Sequence, residues 1–140
     1  MISKKQKINF IIYFCLFYTL SLILIFKIIG QPIMDFEINL IKNIFGNTLN
    51  YTPFLFAPFC SGLVGISIYL TIIFSIGITK IYKIKPIKTI IYTITLYLIN
   101  IIRLIIVLLS EKINIEFAQT IHVISWFIIG GFILWFVYKN

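Results

Sequence analysis

Four apolar runs, each about as long as a bilayer's hydrocarbon core is thick, occupy most of this chain and constrain everything else in it. They cover residues 8–29, 61–79, 89–109 and 121–138. A helix needs roughly 20 predominantly apolar residues to cross about 30 Å of hydrocarbon. In lipid the backbone has to satisfy its own hydrogen bonds, and a helix does so within one segment. The expected fold is all-α: a polytopic membrane helical bundle with about four transmembrane helices, one transmembrane domain over residues 1–140. Composition rules out the soluble alternative. Hydrophobic residues make up 61% of the chain and charged residues 11%, where a soluble domain carries about 25% charge. One small core cannot bury that much apolar surface.

The first run follows the basic flank MISKKQK, as in a signal peptide. It exceeds the apolar region of such a peptide, roughly 7–15 residues, and no small-x-small cleavage site follows; Gly30, Gln31 and Pro32 do. It reads as an uncleaved first span ending there. Residues 31–50, QPIMDFEINLIKNIFGNTLN, read as an outer amphipathic helix at the membrane surface. Met34, Ile38, Ile41 and Phe45 recur at helical spacing, with Asp35, Glu37, Asn39, Lys42 and Asn43 between them. A plain loop is the alternative. Residues 51–59, with Pro53 and Pro58, read as an irregular interfacial loop.

The net charge of +8 is distributed by side. Lys4, Lys5, Lys7, Lys80, Lys83, Lys85, Lys88 and Lys139 fall on one side of a four-span bundle. Lys42 and Lys112 fall on the other, with all four acidic residues, Asp35, Glu37, Glu111 and Glu116. Lysine-rich loops stay cytoplasmic, so both termini are expected inside and segments 30–60 and 110–120 outside. The basic charge is a topology signal, and with no soluble basic face no nucleic-acid partner is expected.

That topology brings three reactive side chains to one membrane level. Cys60 stands at the outer mouth of the second span, His122 at the outer mouth of the fourth, and Arg103 in the third, roughly 9 Å below its outer end at Leu109. Each has a plainer explanation: a cysteine as a small apolar packer, a histidine as an interfacial residue, an arginine reaching to the surface along its stem. Arg103 is the hardest to explain so, because an arginine within a span costs about 2.5–3.5 kcal/mol even on lenient scales. Asn100, three residues earlier, shares its helix face. A thiolate is favoured at a helix N-terminus and beside a cation; His122 is placed to take and return a proton, and Arg103 to stabilise a thiolate or an oxyanion. Backbone amides at Ser61 and Gly62 are supporting candidates. Cys15, between Phe14 and Leu16, reads as packing, too far across the bilayer to bridge Cys60. One histidine and one outward-facing cysteine make no metal site, so no metal or cofactor is expected. Gly130 and Gly131 read as a close helix-packing point.

The pieces APFCSGLVG, LINIIRLIIVL with Asn100-x-x-Arg103, and IHVISWFIIGGFILWF with His122 together resemble the exosortase/archaeosortase family. The resemblance spans roughly residues 55–138. It implies a membrane-embedded cysteine protease or transpeptidase, sortase-like by convergence, with Cys60 as nucleophile, Arg103 and His122 as its partners and Asn100 in support. The implied substrates are secreted proteins ending in a short motif, a transmembrane helix and a basic tail. They are cleaved at the extracellular face and handed to a membrane anchor, with a lipid or water as the acceptor nucleophile. Two other readings of the residues stand beside it: a non-enzymatic small membrane scaffold or assembly protein with Cys60 merely packed, and a transporter or channel subunit using Arg103 as an anion site.

Overall fold

A computed structural model describes residues 3–45 and 62–140, except the side chains of Phe26 and Phe45. The fold is all-α: α1 (Lys4–Leu24), α2 (Gly30–Phe45), α3 (Gly62–Thr79), α4 (Pro86–Glu111) and α5 (Ile115–Lys139), with no strand among the described residues. Four helical stretches are long and apolar enough to cross a membrane, the first of them running on from α1 through α2.

The helix ends follow local chemistry. Ser3 and Gln6 form a reciprocal capping box at the start of α1, and the Asn114 side chain accepts the Glu116 N–H at the start of α5. Pro86 occupies the first turn of α4, where its missing N–H costs nothing. At the end of α3, Lys80 N–H donates to Gly77 O and Ile81 N–H to Ile76 O, with Lys80 at φ 52. This is a Schellman closure with a lysine where glycine is usual. Within the helices, Ser75, Thr79, Thr93, Thr95, Ser110 and Thr120 each donate a hydroxyl to the carbonyl four residues back, which satisfies polar groups inside apolar segments.

The first helix continues past residues 30–32. Residues Ile25–Ile29 form a π-helical turn in which Gly30 N–H donates to Ile25 O, and α2 continues from it. Pro32 gives the reason. It has no N–H for the Ile28 carbonyl and its ring crowds that carbonyl; a widened turn just before it absorbs both effects. The amphipathic segment is helical through Phe45, and its apolar stripe packs on α4. Met34 and Ile41 are fully buried in one cluster with Leu104, Val107 and Leu108 of α4. Residues 46–50 and the loop at 51–59 lie outside the described residues.

α3 is the central helix, packed against α1, α4 and α5, and α4 and α5 form the closest pair. A second cluster, Tyr69, Ile73, Leu96, Ile129, Ile133 and Phe136, joins α3, α4 and α5. Below it the two chain termini are tied to the α3–α4 turn. Asn140 accepts from Lys85 N–H and donates to Tyr69 Oη and Thr89 Oγ1, Lys88 Nζ donates to Lys139 O, and Gln6 donates to Thr79 O. These bonds gather the lysines of the N-terminal flank, of the 80–88 turn and of the C-terminus at one end. The outer surface is apolar all round, from Ile11, Ile12 and Leu20 of α1 to Phe127 and Leu134 of α5, as a lipid-facing surface requires.

Two packing expectations are corrected. Cys15 is exposed on α1 rather than packed. A β-carbon added at Gly130 or Gly131 meets nothing within 4 Å, so this pair is not a helix contact. The close approach between two helices is at Gly62, where a β-carbon would stand 2.9 Å from Tyr97 Cδ2 and 3.3 Å from Asn100 Cβ; at Gly77 the near atom, 2.6 Å away, is Cδ1 of Ile84 in the turn that follows α3.

Candidate functional site

α4 and α5 are joined by three residues, so they run antiparallel and their residues pair by distance from the turn. Arg103 lies eight residues before Glu111, the last of α4, and His122 seven after Ile115, the first of α5. His122 is therefore not at a helix mouth. It lies two turns inside α5, at the level of Arg103, because the helix starts six residues before the apolar run does.

Arg103 is 3% exposed and Asn100 2%. Arg103 Nη1 donates to Asn100 Oδ1 at 2.9 Å, and Nη2 lies 3.4 Å from His122 Nδ1. The guanidinium carbon sits 4.4 Å from the centre of the Trp126 ring, a cation–π contact worth more here than at an exposed site. Trp126 Nε1 in turn lies 3.4 Å from His122 Nε2. Both faces of the imidazole thus meet groups that can only donate. A neutral imidazole has one bare nitrogen and an imidazolium none, so His122 can accept from one of the two only in its neutral form. For proton transfer it has to release one of these neighbours.

A third helix closes the site. Glu37 of α2 is fully buried, 0% exposed. Its Oε1 accepts the Gly62 N–H at 3.3 Å, at the first residue of α3. Oε2 is buried with no hydrogen-bond partner among the described residues. The Tyr97 phenol and the Arg103 charge neighbour the same carboxyl. A carboxylate at a helix N-terminus is favoured by the oriented peptide dipoles there. An apolar groove of about 310 Å³ between α4 and α5, with Ile99, Ile102, Ile121 and Ile124 in its walls, reaches Arg103 from the lipid side.

Of the expected site residues, Arg103, His122, Asn100 and Gly62 come together at one level. Cys60 and Ser61 lie outside the described residues. Glu37, Trp126 and Tyr97 were not anticipated. Two of them had a signal. Glu37 is three residues after Met34 and four before Ile41, so a carboxylate interrupts the apolar stripe of α2. Trp126 is one turn after His122 and shares its face. No grouping of three or more His, Cys, Asp or Glu suited to a metal occurs among the described residues. No family model, curated protein or solved structure matches the chain.

Proposed function

We propose that this chain is a membrane cysteine protease or transpeptidase that cleaves C-terminal sorting signals of secreted proteins at the outer membrane face. The supporting observation is the cluster of buried Arg103 and Asn100 with half-buried His122, meeting the start of α3 at Gly62. Cys60 precedes Gly62 by two residues, so covalent connectivity alone keeps their Cα atoms within about 7 Å. In this reading the Cys60 thiolate attacks the scissile carbonyl carbon and its proton goes to His122. Arg103 and a backbone N–H stabilise the oxyanion. The C–N bond then breaks, the leaving amine takes the proton, and a nucleophile, water or the head group of a lipid anchor, releases the thioester with cleavage of the C–S bond. The α4–α5 groove would receive the substrate's transmembrane helix. By the lysine bias both termini are cytoplasmic and the Arg103 end faces outward.

The test is thiol labelling with a membrane-impermeant electrophile in a Cys15→Ala background. Fast labelling below the free-thiol pKa of about 8.5, slowed by Arg103→Ala and His122→Ala, supports an activated nucleophile. An inert Cys60 sinks the proposal, as does full processing by Cys60→Ala. One feature favours the second reading, a non-enzymatic small membrane scaffold or assembly protein: both His122 nitrogens already face donors, as in a cluster that only holds helices together.

A further inference from the structure

Glu37 is a puzzle for that mechanism. The first N–H of a long helix, a buried arginine and a phenol are groups that bind an anion. Here a carboxylate of the chain already neighbours all three. It is wholly buried, and only one of its oxygens is hydrogen-bonded among the described residues. It reaches the junction from α2, a helix anchored on α4 by Met34 and Ile41.

We propose that the junction of α2, α3 and α4 is a carboxylate-binding site whose resident ligand is Glu37, and that an oxyanion from a substrate has to displace it. The inference rests on the reading above for its role in catalysis, but not for the existence of the site. While Glu37 is seated, its charge opposes Arg103 and occupies the N-terminus of α3, the two features that would favour a thiolate nearby. The seated state is the resting state. The incoming ligand class is a carboxylate or a tetrahedral oxyanion, both of which accept from a backbone N–H and pair with a guanidinium. Glu37 touches no reacting atom in this account; it is a positioning residue that sets the field of the site.

The site itself is tested without Cys60 chemistry. The full chain is purified in detergent as Glu37→Ala, and its thermal midpoint is read in sodium acetate and in sodium chloride of equal ionic strength. Acetate is expected to raise the midpoint of the variant by about 3–5 °C over chloride, to leave the wild type unchanged, and to have no effect on Glu37→Ala with Arg103→Ala. An equal response of wild type and variant overturns the proposal. Should Glu37→Ala not fold, Glu37→Gln keeps an acceptor for Gly62 N–H and removes the charge. Its Cys60 labelling is expected to be about tenfold faster near neutral pH, the factor of one pH unit in the labelling midpoint. An unchanged midpoint beside a reactive wild-type Cys60 refutes the role of Glu37 and spares the cysteine mechanism. A wild-type Cys60 that is inert while acetate rescue succeeds refutes the mechanism and spares the site.

Discussion

The close approach at Gly62 can be tested against glycines that lack it. In Gly62→Ala the new methyl group would stand 2.9 Å from Tyr97 Cδ2, 3.3 Å from Asn100 Cβ and 3.4 Å from Asn100 Nδ2. Carbon atoms pack best at about 3.5–4.0 Å, so the start of α3 has to retreat by roughly half an ångström or more. Tyr97 presents a ring atom near its own backbone, which cannot swing away as a chain end can. Glu37 cannot follow the retreat, because α2 is packed on α4. The Gly62 N–H bond to Glu37, already 3.3 Å long, then passes out of hydrogen-bonding range. Overpacking costs about 1–3 kcal/mol. An alanine gains at most about 1 kcal/mol over glycine in a helix, and less at a first residue. The expected net loss is about 1–2 kcal/mol. Gly65→Ala meets only Ile129 at 3.5 Å and Ile133 at 4.0 Å, and Gly130→Ala meets nothing within 4 Å, so both should be neutral or stabilising. Unfolding in mixed detergent and sodium dodecyl sulfate, followed by circular dichroism, ranks the three. If Gly62→Ala is as stable as Gly130→Ala, α3 does not press on α4 and the site is not closed as described.

Further perturbations bear on the cluster and the bundle ends. Arg103→Ala removes the donor to buried Asn100 Oδ1 and the cation near Glu37 and is expected to cost about 1–3 kcal/mol; part of that should return in a Glu37→Gln background, and strict additivity in the double-mutant cycle would show that Arg103 and Glu37 are not coupled. Trp126→Phe keeps a ring under the guanidinium but removes the donor facing His122 Nε2, so stability should change by less than about 1 kcal/mol while Cys60 labelling rises, and slower labelling would mean the indole N–H orients the base. Lys80→Gly should stabilise by about 1 kcal/mol, since glycine carries no penalty at the positive φ of this helix end; a loss on thermal unfolding would contradict the Schellman closure. Asn140→Ala removes three hydrogen bonds, to Lys85 N–H, Tyr69 Oη and Thr89 Oγ1, and should cost about 1–2 kcal/mol, with faster amide exchange at Lys85 as the local readout.

What could be known from the chain alone was set by the solvent. Apolar runs of bilayer length have to be helices, because a backbone in lipid has no other partner for its N–H and C=O groups, and the all-α fold followed. The lysine pattern named the bundle end at which Lys4, Lys88 and Lys139 gather, and an arginine within an apolar run marked Arg103 as a residue that needs partners. Tertiary structure decided the partners. Hydropathy measures where lipid begins and not where hydrogen bonding does, so it started α5 six residues late and put His122 at a mouth instead of two turns inside. Pro32 looked like an end because proline breaks an ordinary turn; a π turn let the helix continue and carried Glu37 over α4. The seat of Glu37 depends on a methyl group that Gly62 lacks and on the packing of Met34 and Ile41 against Leu104, Val107 and Leu108. Such a seat is a matter of three helices meeting, and no periodicity within one helix encodes it.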